Sequence, residues 1–147
     1  MTRRGKYYIG MDTGKNTALA RWNVDTQELE SVRTFTFWEA YEALRLWFKI
    51  KEHRLNTIMV IEDCTKNKTT FGRDNMNRAI LDKKAQCVGM VKRDTKLWIE
   101  FCINNDLDYQ LVRPYVKKSH KGIVQNYWDG KMNEHEIDAA FLVVGKQ

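Results

Sequence analysis

The stretch from Tyr7 to Trp22 constrains the fold most, because it contains two short apolar runs separated by a polar turn. The first run is YYIGM, the second is TALARW, and residues 12–16 lie between them. Two such runs around a Gly/Asn turn predict a β-hairpin. Asp12 stands where the first strand would otherwise continue into the interior. Because a buried, unpaired carboxylate is costly, we expect a cation, a metal or hydrogen-bond donors beside Asp12.

The rest of the chain alternates between strand-like and helix-like patterns. Runs of apolar and β-branched residues predict strands at 7–12, 17–24, 28–37, 58–61 and 108–113. Apolar residues at three- and four-residue steps predict helices at 38–53 and 133–144 and one long helix or two at 75–104. Residues 64–74 and 115–128 are interpreted as basic loops. The order β-β-β-α-β-α-β-α predicts an α/β fold, with a mixed five-stranded sheet and helices on its faces.

The composition suits one globular domain over residues 1–147, with 43% hydrophobic residues to form a core. The formal net charge is +6, which favours a polyanionic partner such as nucleic acid, although a basic protein without such a partner has a similar balance. Three widely spaced cysteines without a C-x-x-C argue against a disulfide framework or a zinc ribbon. No apolar run approaches the ~20 residues that cross a bilayer, so the sequence predicts a cytoplasmic protein without membrane contact.

Three acidic residues stand where such a sheet would bring them together. Asp12 ends the first strand, Glu62 ends the fourth, and Asp138 lies on the last helix, three residues after His135. If the first and fourth strands are adjacent and parallel, their carboxyl ends meet at the edge of the sheet where ligands bind in α/β proteins. Oxygen ligands in this number suit Mg²⁺ or Mn²⁺, and a histidine among them favours Mn²⁺ somewhat.

Each of these assignments has an alternative. Asp12 could instead accept hydrogen bonds from backbone amides within its own turn. Glu62 competes with Asp63, because side chains alternate across a strand and only one of the two faces the site. His135 competes with Glu134, which lies four residues before Asp138.

Basic and polar residues of the hairpin turn and of the two basic loops are the predicted DNA contacts. They are Lys15, Asn16, Lys66, Lys68, Phe71, Arg73, Lys117, Lys118 and Lys121. The aromatic ring of Phe71 would stack on a base. Scattered lysines also serve simply to keep loops soluble, which is the alternative interpretation.

Together, the element order, Gly10-Met11-Asp12-Thr13-Gly14, Ile61-Glu62 and His135-x-x-Asp138-Ala139-Ala140 resemble the RNase H-like nuclease superfamily. Within it, the chain most resembles the RuvC-type Holliday-junction resolvases of phages, which share a proline-then-lysine stretch like residues 114–118. The resemblance implies an RNase H-like fold and a homodimer that makes paired symmetric nicks in four-way junctions and other branched DNA.

The resemblance also implies residue roles. Asp12, Glu62, His135 and Asp138 match the metal-site positions, and Lys118 matches a basic residue near the scissile phosphate. Two Mg²⁺ ions, roughly 3.5–4 Å apart and replaceable by Mn²⁺, would support hydrolysis of the phosphodiester. The implied location is the cytoplasm of a bacterium or phage-infected cell. Cleavage of RNA–DNA hybrids or flaps, or DNA binding without cleavage, are the alternative functions.

Overall fold

The computed structural model describes residues 5–63, 78–113 and 120–147, and no side chains of residues 78–88 or 120. The strands are β1 (Tyr7–Thr13), β2 (Thr17–Asn23), β3 (Glu28–Phe35), β4 (Thr57–Glu62) and β5 (Asp108–Val112). The helices are α1 (Phe37–Lys49), α2 (Lys51–Asn56), α3 (Arg78–Asn104), α4 (His120–Val124) and α5 (Glu134–Phe141). A single 3-10 turn, Gln125–Tyr127, follows α4.

The five strands form one mixed sheet in the order β3-β2-β1-β4-β5. The first three strands are an antiparallel meander, whereas β4 pairs with β1, and β5 with β4, in parallel. These parallel pairs require crossovers, which α1, α2 and α3 supply. The sheet with its helices confirms the predicted α/β fold class.

Two apolar cores fill the space between the sheet and the helices. Tyr8 and Val60 belong to the core beneath α4 and α5, and Met11 and Ile61 belong to the core beneath α1 and α3. Neighbouring residues of one strand therefore enter different layers, as the alternation of side chains across a strand requires. All of Thr57–Ile61 is buried, as is typical of a parallel strand that is covered on both faces of the sheet.

The prediction of one continuous helix at residues 38–53 was wrong, because the structure has two helices there. The chain is extended at Ile50, with φ of −80° and ψ of 120°, and this residue separates α1 from α2. α1 begins one residue earlier than predicted, because Thr36 caps it: Thr36 Oγ1 accepts from the backbone N–H of Glu39, and the Glu39 carboxylate accepts from Thr36 N–H. The capped helix also ends β3 at Phe35.

The interpretation of residues 115–128 as an irregular basic loop was also wrong for its described part. That part contains α4 and the 3-10 turn, and Val124 is completely buried in the core beneath α5. The apolar signal of this five-residue helix comes from Ile123 and Val124 alone, which is too little to show a helical period. In the part of the chain that the structure describes, no helix is both long and apolar enough to span a bilayer.

Candidate metal and nucleic-acid site

Asp12 lies inside β1 rather than in the hairpin turn, and it is buried. Its Oδ2 is 3.1 Å from Nδ1 of His135 on α5, whose side chain is half exposed. Since a carboxylate oxygen accepts, Nδ1 carries the proton in this hydrogen bond, and Nε2 is the second ring nitrogen. The polar partner expected beside Asp12 is therefore His135.

Gly10 brings α5 into direct contact with β1. A Cβ at this position would overlap the backbone carbonyl of Ala139 and approach Val143 to 3.1 Å, so only glycine permits the observed distance between helix and strand. The helix runs opposite to β1, because Ala139 lies over Gly10 while His135 lies near Gly14. The first turn of α5 thus reaches the end of β1 that carries Asp12.

The register of the sheet places Glu62 on the same face as Asp12. Gly10 pairs with Val60, and Met11 with Ile61, so Glu62 is level with Asp12 on the adjacent strand, about 4.8 Å away across the sheet. Ile58 and Val60 enter the core beneath α5, and alternation sends Glu62 in that direction as well. Asp63 is turned to the opposite face, where it is buried.

Asp138 is half-buried one turn after His135, whereas Glu134 is exposed at the first position of α5. Helix spacing places Asp138 and His135 on one face. Asp12, Glu62, His135 and Asp138 therefore share one end of the sheet. Among the residues that the structure describes, however, no three His, Cys, Asp or Glu side chains are arranged closely enough to hold a metal ion. The donor types fit a hard divalent cation, and Asp12 and His135 are in direct contact.

Few of the predicted DNA contacts fall within the described residues. Lys15 and Asn16 are exposed in the turn that follows Asp12, and Lys121 is exposed on α4. Residues 64–77 and 114–119 lie outside the described part of the chain, and with them Lys66, Lys68, Phe71, Arg73, Lys117 and Lys118.

Sequence reasoning missed four residues that support the site. Thr13 Oγ1 lies 3.1 Å from Thr95 Oγ1, so this buried bond fastens the end of β1 to α3. Asn133 caps α5 by accepting from Glu136 N–H and donates to Thr34 Oγ1 at 2.7 Å, which ties the start of α5 to β3. The Asn-x-x-Glu pattern of residues 133–136 is a capping box that the sequence displays; the threonine pair has no such signal.

Cys102 plays no part in the site. It is completely buried in the core beneath α3, and this burial raises the pKa of its thiol to about 12. The thiol therefore remains protonated at neutral pH and is neither a nucleophile nor a metal ligand.

No family model matches the sequence, and the curated proteins contain no match. Among solved structures, the chain is similar to the Fowlpox virus resolvase, which was crystallised in complex with its substrate, Holliday junction DNA. The superposition covers 92% of this chain and 89% of that chain, with 13% sequence identity and a TM-score of 0.43. A likeness this distant carries no argument about function, which we therefore argue from the residues of this chain.

Proposed function

We propose that this protein is a divalent-metal-dependent endonuclease that cuts branched DNA, with four-way junctions as its substrate. The observation that carries the proposal is the convergence of Asp12, Glu62, His135 and Asp138 on one end of the sheet, with Asp12 and His135 in contact. The resemblance of these residues to the metal positions of RuvC-type resolvases supports the same assignment.

The four side chains are the proposed ligands of Mg²⁺, or of Mn²⁺ in its place. The hydrogen bond from Nδ1 to Asp12 holds the imidazole of His135 beside this carboxylate, where both side chains would be available to a cation. When bound, divalent cations supply an activated water and charge neutralisation at the phosphate. Because Asp12 and Glu62 lie on adjacent strands, the sheet fixes the spacing of their carboxylates. Lys118 is the proposed cation beside the scissile phosphate.

The surroundings of this edge suit a polyanion. Lys15 and Asn16 lie exposed beside Asp12, and the chain has a formal net charge of +6. Cationic side chains near the cleavage site bind phosphates largely without regard to base sequence, so selection of a branch depends on its shape.

We further propose that the enzyme acts as a homodimer, since two active sites related by two-fold symmetry match paired nicks in a four-way junction. The homodimer is supported by an aromatic face on α1 and α3, which consists of Trp38, Tyr41, Leu97 and Phe101. The ring of Tyr41 lies 5.9 Å from that of Trp38 and 5.7 Å from that of Phe101, which shares a helix face with Leu97. Trp38 is 72% exposed, and large apolar surfaces of this kind mark contacts with other proteins.

The substitution Asp12→Asn tests the proposal, because it keeps the shape of the side chain and removes its charge. With Mg²⁺, we expect cleavage of a labelled four-way junction to fall by about three orders of magnitude, while binding of the junction in a gel-shift assay persists. Calorimetric titration with Mn²⁺ should show weakened binding in the same variant. Unchanged cleavage by Asp12→Asn would overturn the proposal.

Glu62→Gln and Asp63→Asn form a matched pair, since the two acids are neighbours on opposite faces of the sheet. We expect Glu62→Gln to lose cleavage while Asp63→Asn retains it per folded molecule, with circular dichroism reporting the fold. Equal loss in both variants would contradict the assignment of Glu62. Faster cleavage of an RNA–DNA hybrid than of the junction would favour the other RNase H-like activity, and absence of both cleavage and metal binding would favour a DNA-binding protein without catalysis.

A further inference from the structure

A second cleft lies at the end of the sheet opposite Asp12. It has a volume of about 500 Å³ and is open to solvent between residues 27–30, at the start of β3, and residues 126–130, after α4. Along β3, Thr34 lies level with Asp12, and Glu28 lies at the other end of the strand. At ~3.4 Å per residue, about 20 Å separate these two positions. A ligand in this cleft would not occupy the proposed nuclease site.

The lining of the cleft is acidic and aromatic. It includes the side chains of Glu28, Glu30, Tyr127, Trp128 and Asp129, and none of its residues is Lys or Arg, although Lys and Arg outnumber Asp and Glu by 25 to 19 in the chain. The charge of Glu30 is already matched by Arg21, at 3.2 Å. Within residues 5–63, 78–113 and 120–147, Glu28 and Asp129 have no ion pair, so two carboxylates face solvent beside two rings.

Both walls of the cleft are held in place by hydrogen bonds. The side-chain amide of Gln27 donates to two backbone carbonyls, at 2.9 and 3.0 Å. On the other wall, the amide of Gln125 donates to two carbonyls of residues 128–130, at 2.7 and 3.2 Å. The ring of Tyr127 packs against the buried ring of Trp22, with 5.2 Å between centroids. A cleft fixed in this way loses little conformational entropy when a ligand binds.

One wall is also the edge of the sheet. β3 is an outer strand, so alternate backbone N–H and C=O groups along it point away from β2. Glu30 forms a β-bulge, which interrupts the pairing with β2 between Arg21 and Trp22. Edge groups of this kind accept an added extended segment, and side chains of that segment enter the adjoining pocket.

We propose that this cleft binds an arginine side chain presented by an extended segment of a partner protein. The planar guanidinium stacks on aromatic rings, here those of Tyr127 and Trp128, and it pairs with carboxylates, here those of Glu28 and Asp129. Lysine is the poorer fit, because its compact ammonium cannot stack. The partner would thus dock at the end of the sheet opposite Asp12, and the proposal does not depend on the nuclease activity.

The test uses a capped five-residue peptide with one central arginine, its citrulline counterpart, and free arginine amide. Tryptophan fluorescence and calorimetry report binding. We expect the arginine peptide to bind saturably, the citrulline peptide at least ~10-fold more weakly, and arginine amide more weakly than the peptide. The double variant Glu28→Gln/Asp129→Asn should lower the affinity at least ~10-fold, because both unpaired carboxylates are removed.

Glu100→Gln is the matched control, since Glu100 is an exposed acid on α3, outside the cleft, and its loss should leave peptide binding unchanged. Glu28, Asp129 and Glu100 are all solvent-exposed, so the variants should fold, and junction cleavage should be the same in each. Equal binding of the arginine and citrulline peptides, or no saturable binding at millimolar peptide, would overturn the proposal. Equal affinity for arginine amide and the peptide would overturn the part of the proposal in which the backbone of the segment binds the edge of β3.

Discussion

At the scale of single residues, the geometry around Asp12 depends on Gly10, because glycine has no side chain. Gly10 lies two residues before Asp12 and allows the backbone of α5 to rest on β1. Two residues along a strand is one repeat on the same face, so the contact and the carboxylate are neighbours beneath the same helix. The pattern Gly-x-Asp therefore sets how closely His135 approaches Asp12.

The substitution Gly10→Ala should separate α5 from β1, because the added methyl group would overlap the carbonyl of Ala139. We expect a loss of about 1–3 kcal/mol in the free energy of unfolding. Junction cleavage should fall at least ~10-fold per folded molecule, since misplacing a catalytic group by about 1 Å is costly. Urea unfolding and single-turnover kinetics measure the two effects.

Gly14→Ala is the control for this prediction. A Cβ at Gly14 would lie 3.8 Å from Cε1 of His135, which is ordinary contact. Its effect on cleavage should be small. Gly10→Ala with unaltered stability and cleavage would show that α5 moves without consequence for the site.

At the scale of elements, the start of α5 determines where His135 and Asp138 lie. The helix has eight residues, too few to be stable by itself, and begins with a capping box between Asn133 and Glu136. Asn133 also donates to Thr34 at the end of β3. The cap therefore has two roles, since it satisfies the first turn of the helix and anchors that turn to the sheet.

We predict that Asn133→Ala costs about 1 kcal/mol of stability through the lost cap and also lowers cleavage, because His135 lies in the first turn. Thr36→Ala removes the corresponding cap of α1 and should cost a similar amount without the loss of cleavage. Thermal unfolding and cleavage per folded molecule separate the two effects. An equal loss of cleavage in both variants would mean that stability alone is responsible.

The elements differ in how far the sequence could predict them. Apolar runs and helical spacing were sufficient for all five strands, α1, α3 and α5, because their side chains enter large cores. The break at Ile50 and the short helix α4 carry too few apolar residues to show a period. The choice of Glu62 over Asp63 as the neighbour of Asp12 required the register between β1 and β4, and residues 50 positions apart in the chain give no local sign of such a register.

At the scale of the whole molecule, the aromatic face of Trp38, Tyr41, Leu97 and Phe101 is the surface that the proposed homodimer would cover. Phe37 and Trp98 lie behind it with 4.9 Å between their rings, so the face is backed by packed aromatic residues. Such rigid, well-supported rings contribute most of the binding energy in protein interfaces.

We predict that the protein sediments as a dimer at micromolar concentration and that Trp38→Ser weakens its self-association at least ~10-fold, through the loss of a central aromatic side chain. Leu55→Ser is the control, since Leu55 is an exposed apolar residue on α2, outside the aromatic face. Analytical ultracentrifugation over a concentration series measures both. A wild-type protein that remains monomeric throughout would contradict the homodimer.

The hydrogen bond between Asp12 and His135 joins residues 123 positions apart. A ribosome therefore completes every strand of the sheet before it adds the helix that contributes the second partner. A nascent chain with all five strands formed still lacks His135 and Asp138, so synthesis itself delays assembly of this site. If the protein cuts DNA as proposed, the order of the elements prevents cleavage by an incomplete nascent chain, and no separate inhibitor is needed.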